Sequence, residues 1–126
     1  MKILEKSITI DGYCIDYSIN KHGSSYIIYA GGGEEHIGSV VLAVPMNSLA
    51  DPDTIGCTVS VLNVPGHKDE EIARPLDEAL CLCSKMPSVA VSGIHFDNID
   101  RQGIDTIISI NNQAKEKIKE WLSESI

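Results

Sequence analysis

The sequence predicts an α+β domain: a largely antiparallel or mixed β-sheet with helices packed on one face, in the order βββββαβα(α). Three observations point there. Apolar and polar residues alternate with period two through much of the first half, as in Tyr13, Ile15, Tyr17 and Ile19. The period becomes helical near Asp69. Breaks rich in Gly, Pro and Asn separate the segments.

Each element has its own warrant. Residues 7–19 read as a hairpin about Asp11-Gly12, a two-residue turn that needs φ > 0 at both positions. Asn20-Lys21-His22-Gly23 is the next turn, so His22 reads as an exposed loop residue. Residues 25–30 form a third strand running into Gly31-Gly32-Gly33. Residues 39–44, mostly apolar, form a fourth and central one, ended or edged by Pro45. Cys57, Val59 and Val61 alternate in a fifth. From about Asp69 to Ser84, Ile72, Leu76, Ala79, Leu80 and Cys83 make an apolar helical stripe, and Pro75 predicts a late start or a kink. Residues 87–92 are the sixth strand. Asp100 is a good N-cap for a helix through Ile104, Ile107 and Ile108. Asn111-Asn112 weakens that pattern before Ala114, Ile118, Trp121 and Leu122 resume it.

The 126 residues fit one domain, 1–126, able to bury a core without staples. A net charge of −8 argues against nucleic acid as the main partner. No apolar run approaches the roughly 18 residues of a membrane span, and residues 1–6 lack a signal-peptide core, so a cytoplasmic protein with no membrane partner is expected. Cys14, Cys57, Cys81 and Cys83 read as free thiols. Cys81 and Cys83 point to different sides of a helix. Several strands look apolar on both faces although the chain has one Trp and one Phe, which predicts a homodimer or higher oligomer.

Three Gly-bounded breaks carry a histidine each: Gly31-Gly32-Gly33 with His36, Gly66-His67-Lys68, and Gly93-Ile94-His95. Strand ends on a rigid scaffold aim side chains and backbone N–H groups at ligands. The triple glycine offers either a nest for an anion or simply a tight turn. Gly66-His67-Lys68 stands at a helix N-terminus, where N–H groups and Lys68 would cradle a phosphate. Asp97 is placed to orient His95, or else only makes turn hydrogen bonds. His36, His67 and His95 together would ligate a divalent metal, with Glu34, Glu35 or Asp97 adding oxygen, if the fold brings them together.

Read in order, Gly32-Gly33-x-x-His36-Ile37-Gly38, His67-Lys68-Asp69 and Ser92-Gly93-Ile94-His95-Phe96-Asp97-Asn98-Ile99, with the closing Trp121-Leu122 helix, resemble the prenylated-flavin chaperone family, LpdD-like. The resemblance spans roughly residues 24–123. It implies a small accessory protein of non-oxidative hydroxyarylic acid decarboxylases. Such a protein binds prenylated FMN, or FMN, and carries it from the flavin prenyltransferase to an apo-decarboxylase of the UbiD type. It implies a carrier rather than a catalyst, with Gly32, Gly33, His36, His67, Lys68 and His95 at the cofactor site. Pro75 departs from the expected helix. The competing class is a small metal-dependent hydrolase or decarboxylase built on His36, His67 and His95. Bound flavin absorbance and metal analysis separate the two.

Overall fold

The structure, a computed structural model, describes residues 3–51, 53–65 and 69–124. Six strands and two helices follow in the predicted order: β1 Ile3–Ile10, β2 Tyr13–His22, β3 Ser25–Gly33, β4 Ser39–Asn47, β5 Ile55–Asn63, α1 Glu70–Ser84, β6 Ser88–His95 and α2 Arg101–Glu124. The strands form one mixed sheet in the order β1-β2-β3-β6-β4-β5. β3 and β6 pair parallel, and the other neighbours pair antiparallel.

Asp11 and Gly12 both take positive φ, 51° and 84°, as a type I′ hairpin requires. That turn sets the register of β1 on β2 from Ile10↔Tyr13 outward. Ile15, Tyr17 and Ile19 of β2 and Ile28 and Ala30 of β3 then face the helices and are fully buried. On β6 the inward positions are Ser88, Ala90 and Ser92, all buried. These small side chains let α1 lie close over the centre of the sheet. Leu76 and Leu80 from α1 and Ile110, Ala114, Ile118 and Trp121 from α2 complete the core.

Four local expectations need correction, and that for Pro45 is met in its second form, as an edge position. The triple glycine does not lie beyond β3 but inside it, paired as Gly31↔Gly93, Gly32↔Ile94 and Gly33↔His95. The buried thiol of α1 is Cys81, while Cys83 is exposed. The helix buries the face that carries Asp77, so its buried stripe is Ile72, Ala73, Leu76, Asp77, Leu80 and Cys81. The helix starts at Glu70 and continues through Pro75. The cost is the backbone bond to the Glu71 carbonyl, on an exposed residue. β4 runs on through Pro45 to Asn47. Pro45 lies beyond the β6 pairing, where β4 has only β5 beside it.

Asn111 does not break α2, which is one continuous helix. Its side chain is buried and bridges three elements. Its Oδ1 accepts from the Tyr17 hydroxyl at 3.1 Å, and its Nδ2 donates to the Ile72 carbonyl at 3.1 Å. Burial pushes the Tyr17 phenol well above its ordinary pKa. The Tyr17 ring also packs on Trp121 at 5.5 Å. A fully partnered polar bridge of this kind fixes the position of a helix on a sheet.

Candidate functional site

β6 is inserted between β3 and β4, so the connection from β3 to β4 must cross the end of β6. It does so at Gly93. The backbone of His36 lies against Gly93, where any Cβ would collide with it. Hydrogen bonds pin the crossing segment on both sides, from Glu34 N to the His95 carbonyl at 2.8 Å and from Gly38 N to the Ser92 carbonyl at 2.9 Å. The first and third histidine-bearing breaks are therefore neighbours at one end of the sheet.

Asp69 joins them to α1. It stands at the helix N-cap position, yet its side chain makes no capping bond. It turns to the sheet instead and is buried. Its Oδ1 accepts from the Ile94 N–H at 2.9 Å and from the Ser92 hydroxyl at 3.5 Å. Its Oδ2 meets His36 Nε2 at 2.9 Å. His36 Nδ1 lies 3.2 Å from the Glu34 carbonyl. Both ring nitrogens thus face oxygen atoms. Nearby, Tyr29 places its hydroxyl 3.4 Å from the His36 carbonyl. Its phenol is pushed up to about 12, first by burial and then by Glu35 and Asp69.

Between the end of β6, the start of α1 and the first turns of α2 lies a cleft of about 310 Å³. Ile72, Ile94, Phe96, Ile99 and Ile107 make its walls, while Asp69 and His95 supply polar groups. Ile104, Ile107 and Ile108 of α2 close one side, and the helix is capped where Gly103 N donates to Asp100 Oδ1 at 2.8 Å. Phe96 is held from behind by Tyr13, edge to face at 5.1 Å. Gly32 contributes by having no side chain. A Cβ there would come 2.9 Å from the Cys14 carbonyl and 3.3 Å from the Phe96 ring. Gly33 takes φ +63°, the left-handed backbone that ends the strand.

His95 is exposed, and its Nε2 lies 3.1 Å from Asp97 Oδ1, as the period-two spacing predicted. Ligand atoms of Glu34, His95 and Asp97 lie within 4.8 Å of one another, all on exposed residues. His95 gathers with these two carboxylates, and His36 is engaged by Asp69. Gly66, His67 and Lys68 lie outside the described residues. Asp69 is the residue that sequence reasoning missed. Followed by Glu70 and Glu71, it reads as one more acid favoured by the helix dipole, and nothing in the local sequence marks its turn toward β6.

A family model described as the prenylated flavin chaperone LpdD-like domain matches residues 9–123. The chain belongs to that family. The match covers the hairpin turn and β2, the crossing segment, the cleft and most of α2. No curated protein matches the chain. Among solved structures, a chain from the structure titled "Crystal Structure of a Novel Chaperone Complex for Yeast 20S Proteasome Assembly" is similar in fold, with a TM-score of 0.58. At 14% identity, over 97% of this chain and 99% of that one, the likeness is one of architecture. The LpdD-like chain is thus a prenylated-flavin chaperone domain by family and an α+β sheet-and-helix layer by fold. Among the described residues, no helix is long and apolar enough to cross a membrane.

Proposed function

We propose that this chain binds prenylated FMN and delivers it to an apo-decarboxylase of the UbiD type, having received it from the flavin prenyltransferase. The observation that carries the reading is the isoleucine-walled cleft at the end of β6. Its residues fit the ring end of the cofactor. A planar, largely apolar ring system with a polar edge asks for apolar walls and a few placed polar groups. The cleft supplies Ile94, Phe96, Ile99 and Ile107 for the first and Asp69 and His95 for the second.

The rim is acidic, with Asp69 and Glu71, so it does not suit a phosphate. In this reading His67 and Lys68, just before α1, hold the phosphate. His95 meets the ring edge, His36 acts by fixing Asp69, and Gly32 and Gly33 shape the floor beneath Phe96. The polar set has no evident nucleophile and suits retention and shielding of a labile ring rather than turnover.

The test is anaerobic binding of prenylated FMN to the purified protein. Flavin absorbance bands should travel with the protein in gel filtration, and the loaded protein should activate an apo-decarboxylase. Lys68→Glu should weaken binding by about 1–3 kcal/mol, the scale of a charge-assisted hydrogen bond. The dephosphorylated ligand should lose much less. Absence of flavin binding by the unmutated protein would end the carrier reading.

A further inference from the structure

The face of the sheet turned away from the helices changes character across its width. On β1 and β2 its side chains are Glu5, Ser7, Asp16, Ser18 and Asn20, a normal wet surface. From β3 onward, across β6 and β4 and reaching the end of β5, it becomes apolar. Ile27 pairs with Val89, Val89 with Leu42, and Val91 with Val40, which in turn pairs with Leu62. Leu62 is 75% exposed, and Ile27, Leu42 and Val44 are exposed as well. No helix of the described chain lies on this face.

We infer that this face is the interface of a homodimer, two copies packing sheet to sheet through β3, β6, β4 and β5. Three arguments select a second copy as the occupant. First, the outward strand positions from Ile27 through Val89, Leu42 and Val40 to Leu62 carry no charge in a chain of net charge −8, the carboxylate of Glu35 lying at the margin over Gly31 and Tyr29. Two such chains repel elsewhere, and an uncharged apolar patch is self-complementary about a two-fold axis. Second, the size is right. Two patches of this extent, stacked about 10 Å apart, remove on the order of 1,000 Å² from water, where specific interfaces begin. Third, the cleft lies on the helix side of the sheet. A protein receiving cargo must reach the cleft, which leaves the opposite face for a constant partner. The polar half over β1 and β2 limits the overlap and fixes where the two sheets meet. The third of these rests on the proposed function; the first two do not.

Sedimentation velocity over 1–100 µM tests it. The unmutated chain should run at twice its 13.7 kDa mass. Leu42 and Ser60 sit opposite each other on this face, and Ser60 is already exposed and polar. Ser60→Arg therefore should not disturb the monomer core, and it should shift the species to 13.7 kDa with an unchanged far-ultraviolet spectrum. Leu42→Asp should do the same. Glu5→Arg, on the polar half, should leave the dimer intact. A monomer at 100 µM, or an oligomer indifferent to Ser60→Arg and Leu42→Asp, would overturn the inference.

Discussion

His36 and Asp69, 33 positions apart in the chain, meet at 2.9 Å and tie the β3–β4 crossing to the start of α1. The same carboxylate holds the Ile94 N–H at the end of β6. One buried side chain thus ties the crossing segment to the start of α1 and the end of β6, the last two of which frame the cleft.

Removing that anchor should loosen the frame. Asp69→Ala removes the acceptor of the buried Ile94 N–H and the oxygen facing His36 Nε2, and should cost about 1–3 kcal/mol, the scale of a buried donor left unsatisfied. Asp69→Asn keeps an acceptor for Ile94 and should cost less. Urea denaturation gives both values. Equal, small losses would mean the carboxylate is not the anchor.

Asp77 should make stability fall as pH rises. It is fully buried, with Oδ1 accepting from the Ser88 hydroxyl at 2.7 Å and Oδ2 among the buried oxygens without a partner. Burial lifts its pKa from 3.8 to about 7. Below about 4 the carboxyl is protonated in both folded and unfolded states. Between about 4 and 7 only the folded state keeps the proton, so stability declines by up to about 1.4 kcal/mol per pH unit. Asp77→Asn does not titrate. The stability difference between the two proteins, followed from pH 4 to 8, should therefore change in favour of the variant as pH rises.

Gly93→Ala should be among the most damaging small substitutions. The added methyl group would meet the His36 backbone, which is pinned through Gly38 and Glu34. A cost of about 2 kcal/mol or more is expected, at the upper end of overpacking. At Gly56 a Cβ finds its nearest neighbour at 4.0 Å, so Gly56→Ala is the matched control and should be nearly neutral. Thermal melts of both variants decide it.

Ile104 lines the cleft but is 43% exposed. Ile104→Trp should fill the cleft without emptying or overfilling the core. Prenylated-flavin affinity should drop tenfold or more, with folding stability within about 0.5 kcal/mol of the parent, as for other surface substitutions. Unchanged affinity in a stable variant would place the ring elsewhere.

Particular residues show how far the sequence was legible. Asp11-Gly12, the alternation from Tyr13 to Ile19 and the Asp100 cap carry their geometry within a few neighbouring residues, and each was readable. Gly31-Gly32-Gly33 was misplaced because glycine marks both turns and close backbone approach. Here the approach is to β6 and Phe96, some 60 residues away. Asn111 looked like a weak point because its two partners, Tyr17 and Ile72, are supplied by other elements.

By itself the sequence determined the order of elements, the buried face of β2, and the family motifs around His36 and His95. These follow from period, turn chemistry and short spacings, which act between near neighbours. Only the tertiary structure decided that β6 enters between β3 and β4 and that the chain crosses it at Gly93. Only there does Asp69 abandon its helix to hold His36 and Ile94. Those outcomes depend on which backbone groups the sheet leaves to be satisfied, and that is set once the distant strands have paired.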